Sequence, residues 1–416
     1  MSEGYSFRIA SVAAVAWFAV LFVVSDNIHS LAESTSYDRL LLGARMCHGE
    51  AIDPNFPLGS AFLYSLPCRF GLEPVIAGRL VSLGFALLAC FFAVRILREL
   101  EVPAAFGPWV LGLAALPAFA RGAVVVGEEA AYTAAILGAV LAVMRGRPVP
   151  VVFAANLAVL VRLDALTLLP LFAAGVVVST PERRRGLALG AACFGTTLLH
   201  LGIGMRTGEP LGFARRARAV MASSADGFGG RPGLETLPIA LLDALGGAFG
   251  ALLLGVAAAA TVALLRGGGP GRRLAAGTLG VVLVTWVLAA VGALEPRSPR
   301  MIVPSLVLLL LCAFAGAGRR RSWAWMLASG CLLVGVPRAW TQAQEARLSP
   351  GLVEAARSLR DRPVEERIVV TEAHPVVVVE SRRRPDSVGL VRQGTDGARW
   401  LLEVSDAGTR LVDLGP

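Results

Sequence analysis

The chain has 416 residues, of which 55% are hydrophobic and only 17% charged, and its mean hydropathy is +0.66. This composition excludes an ordinary soluble domain and puts the protein in a bilayer. All 39 basic residues are Arg, for a net charge of +9; no basic patch interleaves with aromatics as base stacking requires, so nucleic acid is not an expected partner and the arginines are read as reporters of orientation. The lack of Lys beside abundant Ala, Gly, Val and Leu suggests a GC-rich bacterial gene.

A hydrocarbon core about 30 Å thick needs about 20 apolar residues per helix. By that rule about eleven transmembrane helices are expected, at 6–25, 75–97, 105–126, 129–145, 149–161, 165–180, 187–204, 238–265, 274–294, 301–318 and 323–340. The first apolar run is longer than that of a signal peptide and lacks a small-x-small cleavage site, so it reads as a retained anchor. A polar stretch follows, 26–74, carrying Asp26, Glu33, Asp38, Glu50, Asp53 and Glu73. Residues 149–178 are interrupted only by Arg162 and Asp164; a hairpin and one long tilted helix both fit, and the hairpin keeps the later loops in register with the charge rule.

Alternating the spans from a cytoplasmic N-terminus puts thirteen arginines in five short inner loops: Arg95, Arg98, Arg145, Arg147, Arg183 to Arg185, Arg266, Arg272, Arg273 and Arg319 to Arg321. The short outer loops hold only Arg162, Arg297 and Arg300. That asymmetry satisfies the positive-inside rule for a multi-pass bacterial inner (cytoplasmic) membrane protein, and it leaves 26–74, 205–237 and the C-terminal tail extracytoplasmic. Cys90, Cys193, Cys312 and Cys331 lie in apolar runs, where a thiol behaves as a small hydrophobe. Cys47 and Cys68 share the first outer loop and either pair there or stay as free thiols.

Two units are expected: a transmembrane unit, 1–340, and a small extracytoplasmic α/β appendage, 341–416. In the appendage, 352–360 has helical spacing, 367–372 and 375–380 are Val-rich as strands are, and 399–404 with 409–414 reads as a hairpin.

The first outer loop reads Ser36-Tyr-Asp-Arg-Leu-Leu-Leu-Gly-Ala-Arg-Met-Cys-His-Gly49, then Asp53-Pro-Asn-Phe-Pro-Leu-Gly59, Phe70-Gly71 and Arg79-Leu-Val-Ser82. Later come Gly127-Glu-Glu129, Arg162-Leu-Asp-Ala165 and Pro299-Arg-Met-Ile-Val-Pro304. With these segments the chain resembles the polyprenyl-phosphate-sugar-dependent glycosyltransferases of the GT-C superfamily, of mannosyltransferase or aminoarabinose-transferase type. Their first outer loop runs acidic residue, Ala-Arg, Gly, a proline turn, an amphipathic helix, Phe-Gly and Ala-Arg-Leu.

The resemblance implies an all-α polytopic GT-C-like fold and a polyprenyl-phosphate sugar as donor. It further implies inverting transfer to an outer-face glycan, lipid or protein, with a loop carboxylate as general base. An attacking hydroxyl must lose its proton, which a positioned carboxylate takes, and the leaving lipid phosphate needs cations. Asp38 is the first choice for the base and Asp26 the second. Many members carry an adjacent acidic pair where this chain has Ser36-Tyr37-Asp38. Arg162, Arg297, Arg300 and Arg79 are candidates for the donor phosphate, with Arg45, Arg215, Arg216 and Arg218 as further options.

Asp53, Glu128 and Glu129 are candidate substrate contacts. Each also has a bland reading, Asp53 as a turn residue and the glutamates as partners of a helix dipole. His29 and His48 lie among the loop carboxylates without a metal-ligand spacing, so no metal and no cofactor is expected. Two other readings compete: a transporter or flippase, which would depend on the span residue Asp243, and a catalytically inactive GT-C-like envelope scaffold.

Overall fold

The computed structural model describes residues 3–27, 34–50, 57–215, 233–291, 299–318, 320–345, 350–361, 367–370, 374–381, 388–390, 398–405 and 408–414. The chain opens with α1 (Glu3–Asn27), α2 (Ser34–Cys47), α3 (Leu58–Arg69) and α4 (Pro74–Glu99). Pro74 at the first helical position and the Glu73 carboxylate, which accepts from the Ile76 N–H at 2.7 Å, fix the start of α4. The expected outer loop 26–74 is thus largely two helices lying against the start of α4 and the end of α8.

Next come α5 (Phe106–Ala115), α6 (Pro117–Val124), α7 (Glu129–Met144), α8 (Pro148–Val161), α9 (Leu169–Ser179), α10 (Arg183–Ala192) and α11 (Gly195–Arg206). Leu116, ahead of Pro117, is pushed into extended backbone, so α5 and α6 meet at 75°. Similarly, α10 and α11 meet at 44°. At 149–178 the hairpin is the observed form: Val151 near the start of α8 and Val178 near the end of α9 line one crevice with Val143 of α7.

The bundle is completed by α12 (Thr236–Leu245), α13 (Ala248–Gly267), α14 (Gly269–Ala290), α15 (Pro299–Ala317) and α16 (Arg321–Glu345). Gly268 and Gly269, at φ 75° and 56°, make the tight reversal between α13 and α14 that only glycine adopts without strain. Among the described residues four helices, α1, α4, α13 and α14, are long and apolar enough to cross a bilayer, and up to six spans result when each bent pair counts as one. The expected number of about eleven is not reached by that measure. Proline and polar breaks leave other runs as shorter helices; the 16 residues of α7 rise only about 24 Å.

Beyond the bundle lie α17 (Pro350–Ser358), β1 (Arg367–Val370), α18 (His374–Ser381), β2 (Val388–Leu390), β3 (Ala398–Ser405) and β4 (Gly408–Asp413). The sheet order is β2-β1-β3-β4, with β1 parallel to both neighbours and β3–β4 an antiparallel hairpin. The Val-rich run 375–380, expected as a strand, is helical. Pro375 stands in the first turn of α18 and Val376 to Val379 are all buried, so packing overrides β propensity. One apolar cluster joins Val377, Ile368 and Leu402 of this region to Leu40 of α2, Tyr64 of α3 and Val75 of α4.

Candidate active site

The end of α1, the start of α4, the α6–α7 junction and the end of α8 come together at one end of the bundle, with α2 and α3 lying over them. Small residues permit this close approach. A Cβ at Gly43 of α2 would overlap the Tyr64 carbonyl of α3, and one at Gly59 of α3 would come within 2.8 Å of the Leu160 carbonyl oxygen of α8. Arg39 and Gly43, and likewise Ser60 and Tyr64, are four residues apart and so share a helix face. Both faces meet the junction Gly127-Glu128-Glu129.

There Arg39 forms an ion pair with Glu128, the two side chains being only 14% and 8% exposed. Ser60 Oγ donates to the Val161 carbonyl at 2.8 Å and lies 3.2 Å from Glu128 Oε1. Tyr64 donates its hydroxyl to the Gly127 carbonyl at 2.9 Å, and the Gly127 N–H donates to Ser82 Oγ at 3.3 Å. Burial alone would lower the Arg39 guanidinium, but the charges of Glu128 and Glu129 outweigh it and hold Arg39 above its ordinary value. Burial, reinforced by the Glu128 charge, pushes the Tyr64 phenol up, so it stays a hydrogen-bond donor. The two glutamates also sit where the first turn of α7 presents unpaired N–H groups.

Arg162 terminates α8 in extended backbone and forms a fork with Asp164, at 2.9 Å (Nε to Oδ1) and 2.7 Å (Nη2 to Oδ2). Its guanidinium carbon is 5.0 Å from the Tyr132 ring centre. Glu129 lies within electrostatic reach of both Arg39 and Arg162, so the two ion pairs form one buried charge group. Cys47 and Cys68 are disulfide-bonded with Cα atoms 6.2 Å apart, locking the end of α2 to the end of α3.

The residues singled out from sequence divide clearly. Glu128, Glu129 and Arg162 are brought together. Arg79 is also at this end, but it is 2% exposed, donating to the carbonyls of Val124 at 2.6 Å and Phe22 at 2.5 Å, with its guanidinium 3.9 Å from the Phe22 ring centre. It therefore ties α1 and α6 to α4. Asp26 is in the last turn of α1, Asp38 is on α2 next to Arg39, and Arg300 is in the first turn of α15; their side chains lie outside the described residues. Asp53, Arg297, Arg216, Arg218 and His29 lie outside them altogether.

Arg45 is 3.9 Å from Glu50 and Arg215 is 3.5 Å from Glu209, both outside the buried group. Asp243 on α12 has an exposed side chain, and its carbonyl accepts from Arg338. Among the described residues no three of His, Cys, Asp and Glu converge as metal ligands do. Arg39, Ser60, Tyr64 and Ser82 had no assigned part in the sequence reading. Their signal was the pair of four-residue spacings, which gains meaning only once α2 and α3 are known to cross.

Chemically, this end of the bundle offers carboxylates that can accept a proton and guanidinium groups that can meet phosphoryl oxygens. No family model and no curated protein matches the sequence. Solved structures do. ArnT from Cupriavidus metallidurans bound to undecaprenyl phosphate is similar with a TM-score of 0.71 at 14% identity, over 98% of this chain and 94% of that one. The Archaeoglobus fulgidus oligosaccharyltransferase in complex with Zn and sulfate is similar with a TM-score of 0.53 at 12% identity, over 93% of this chain and 67% of that one. At these identities the likeness establishes the fold: this multi-pass membrane chain has the GT-C fold that its loop motifs resemble.

Proposed function

We propose that the protein is an inverting membrane glycosyltransferase that moves a sugar from a polyprenyl phosphate to a glycan, lipid or protein acceptor at the extracytoplasmic face. The observation that carries this reading is the near end-to-end likeness to ArnT, whose structure holds undecaprenyl phosphate. In the proposed reaction the acceptor hydroxyl oxygen attacks the anomeric carbon while the bond from that carbon to the phosphate oxygen breaks. The hydroxyl proton passes to Asp38, or to Asp26 if Asp38 is not the base, and polyprenyl phosphate departs with the bonding pair.

Arg39 and Ser60, held on Glu128, would keep α2 and hence Asp38 in place. Arg162, oriented by Asp164, and Arg297 and Arg300 would offset the charge of the leaving phosphate. No metal or cofactor is assigned. The Cys47–Cys68 bond and the arginines gathered at the opposite end of the bundle support an outward-facing site with a cytoplasmic N-terminus.

The test is transfer by the purified protein in nanodiscs from a panel of radiolabelled polyprenyl-phosphate sugars to an envelope extract. Transfer from one donor, falling about 10²- to 10⁴-fold in Asp38→Asn with donor binding retained, is the expected result. Full activity in that variant removes Asp38 from the mechanism. Loss of donor binding by the unaltered protein overturns the transferase reading and turns attention to transport.

A further inference from the structure

At the end of the bundle away from the buried Arg39–Glu128 and Arg162–Asp164 pairs, an apolar crevice of about 240 Å³ opens between α7, α9 and α14. Val140, Leu171, Phe172 and Val281 line its depth, while Ala174, Val178 and Ala276 stand exposed along its open side. One charged side chain lines it, Arg273 in the first turns of α14. Arg273 Nη1 donates to the carbonyls of Val143 and Met144, 3.0 Å each, at the end of α7. The guanidinium is therefore fixed, and its Nε and Nη2 have no hydrogen-bond partner among the described residues.

A groove for a hydrocarbon chain, ending in a pre-oriented guanidinium at the level where loops carry arginine, has the chemistry of an anionic phospholipid. We propose that this crevice is a binding site for an anionic phospholipid of the bilayer leaflet on that side, with one acyl chain in the groove and the phosphate on Arg273. Burying methylenes supplies affinity without head-group selectivity, and the fork of Arg supplies selectivity through charge-assisted bonds to phosphate. A zwitterionic lipid with the same chains would fill the groove but bring its own cation to the guanidinium.

This site is separate from the proposed transfer site and does not depend on it. The experiment is native mass spectrometry of the full-length protein released from detergent, titrated with phosphatidylglycerol or phosphatidylcholine of identical chains. Phosphatidylglycerol is expected to bind about fivefold more tightly, the increment of one basic residue at a lipid surface. Arg273→Gln should abolish that preference, and Gly277→Leu, which fills the groove from α14, should weaken both lipids. Arg272→Gln, an exposed neighbour on the same turn, should leave the preference intact.

Equal binding of the two lipids to the unaltered protein overturns the proposal. So does a preference that survives Arg273→Gln but falls in Arg272→Gln, which would mark a diffuse basic surface. Tighter binding of undecaprenyl phosphate than of phosphatidylglycerol, lost in Gly277→Leu, would reassign the crevice to the carrier lipid. Should Arg273→Gln fail to fold because α7 loses its terminal partner, equal affinity of Gly277→Leu and the unaltered protein for phosphatidylglycerol would still refute occupancy of the groove.

Discussion

At the end of the bundle covered by α2 and α3, arginines are buried and matched to carboxylates, Arg39 to Glu128 and Arg162 to Asp164. At the other end the arginines are more numerous and mostly in the open. Arg147, Arg183, Arg184, Arg185, Arg266 and Arg272 are exposed. Among the contacts there, Arg145 pairs with a half-buried Glu99, Arg273 caps the carbonyls of α7, Arg321 reaches the Ser6 hydroxyl and Arg95 lies over the Phe91 ring. Counting charge alone would rank the second end as the important one, and burial reverses that ranking. An exposed arginine beside a membrane costs little and reports orientation. A buried ion pair loses hydration that its mutual attraction only partly returns, so its presence calls for a role beyond stability.

The sharpest way to break this contrast is to remove one member of a buried pair. Arg39→Leu leaves the Glu128 carboxyl, nearly out of solvent, without its guanidinium partner, and is expected to destabilise the protein by about 3–5 kcal/mol. Thermal unfolding in detergent would register it as a large drop in midpoint. The double variant Arg39→Leu/Glu128→Leu should recover most of that stability, because no unpaired charge remains, while transfer activity stays low if the pair positions α2. Equal stability of the single variant and the parent would mean that Glu128 is already solvated and that the two ends do not differ as described.

A second lever acts on the same end through the backbone. The Cys47–Cys68 bond closes a segment with a sequence separation of 21, for which loop-entropy reasoning gives about 3 kcal/mol of stabilisation. Cys47→Ser or Cys68→Ser should lower the unfolding midpoint accordingly, and reductant should do the same to the parent and nothing further to either variant. Proteolysis within 34–69 should rise in parallel, since α2 then depends on its packing, chiefly against α3 and α18, and on the Arg39–Glu128 pair. Unchanged protease sensitivity on reduction would show that the apolar cluster around Leu40 and Tyr64 suffices.

How far the sequence reading reached follows from the range of the forces involved. Hydropathy identified a helical membrane protein because apolar runs are local. By length and composition four to six spans are counted among the described residues against the eleven expected, and a run such as 105–126 says nothing about the 75° turn that Pro117 imposes. Val376 to Val379 were misread for the related reason that β-branched residues favour strands only until burial on a helix outweighs the preference. In the site, Glu128, Glu129 and Arg162 were legible as charges beside apolar runs, which are unusual enough to notice. Arg39 was not, since its meaning lies in a pairing with Glu128 that four helices, α3 to α6, separate along the chain. Arg79, read as a phosphate ligand, proved to be engaged with the Val124 and Phe22 carbonyls, a tertiary contact no local spacing reports.

The smallest effect is expected at the opposite end, and it is the control on which the contrast depends. Arg145 donates from Nε at 2.9 Å and Nη2 at 2.6 Å to the one oxygen Glu99 Oε1, at distances close to those of Arg162, whose two donors reach both oxygens of Asp164. Its environment differs, with side chains 24% and 31% exposed against 6% and 12%. Solvent there screens the attraction and rehydrates Glu99 once the partner is gone, so Arg145→Gln should cost only about 0–1 kcal/mol. Asp164→Asn, which leaves Arg162 buried without its counter-charge, should cost several times more. Measured side by side by thermal unfolding, the two ion pairs would then differ through burial together with the second acceptor oxygen of Asp164; equal losses would show that desolvation does not set the difference between the two ends.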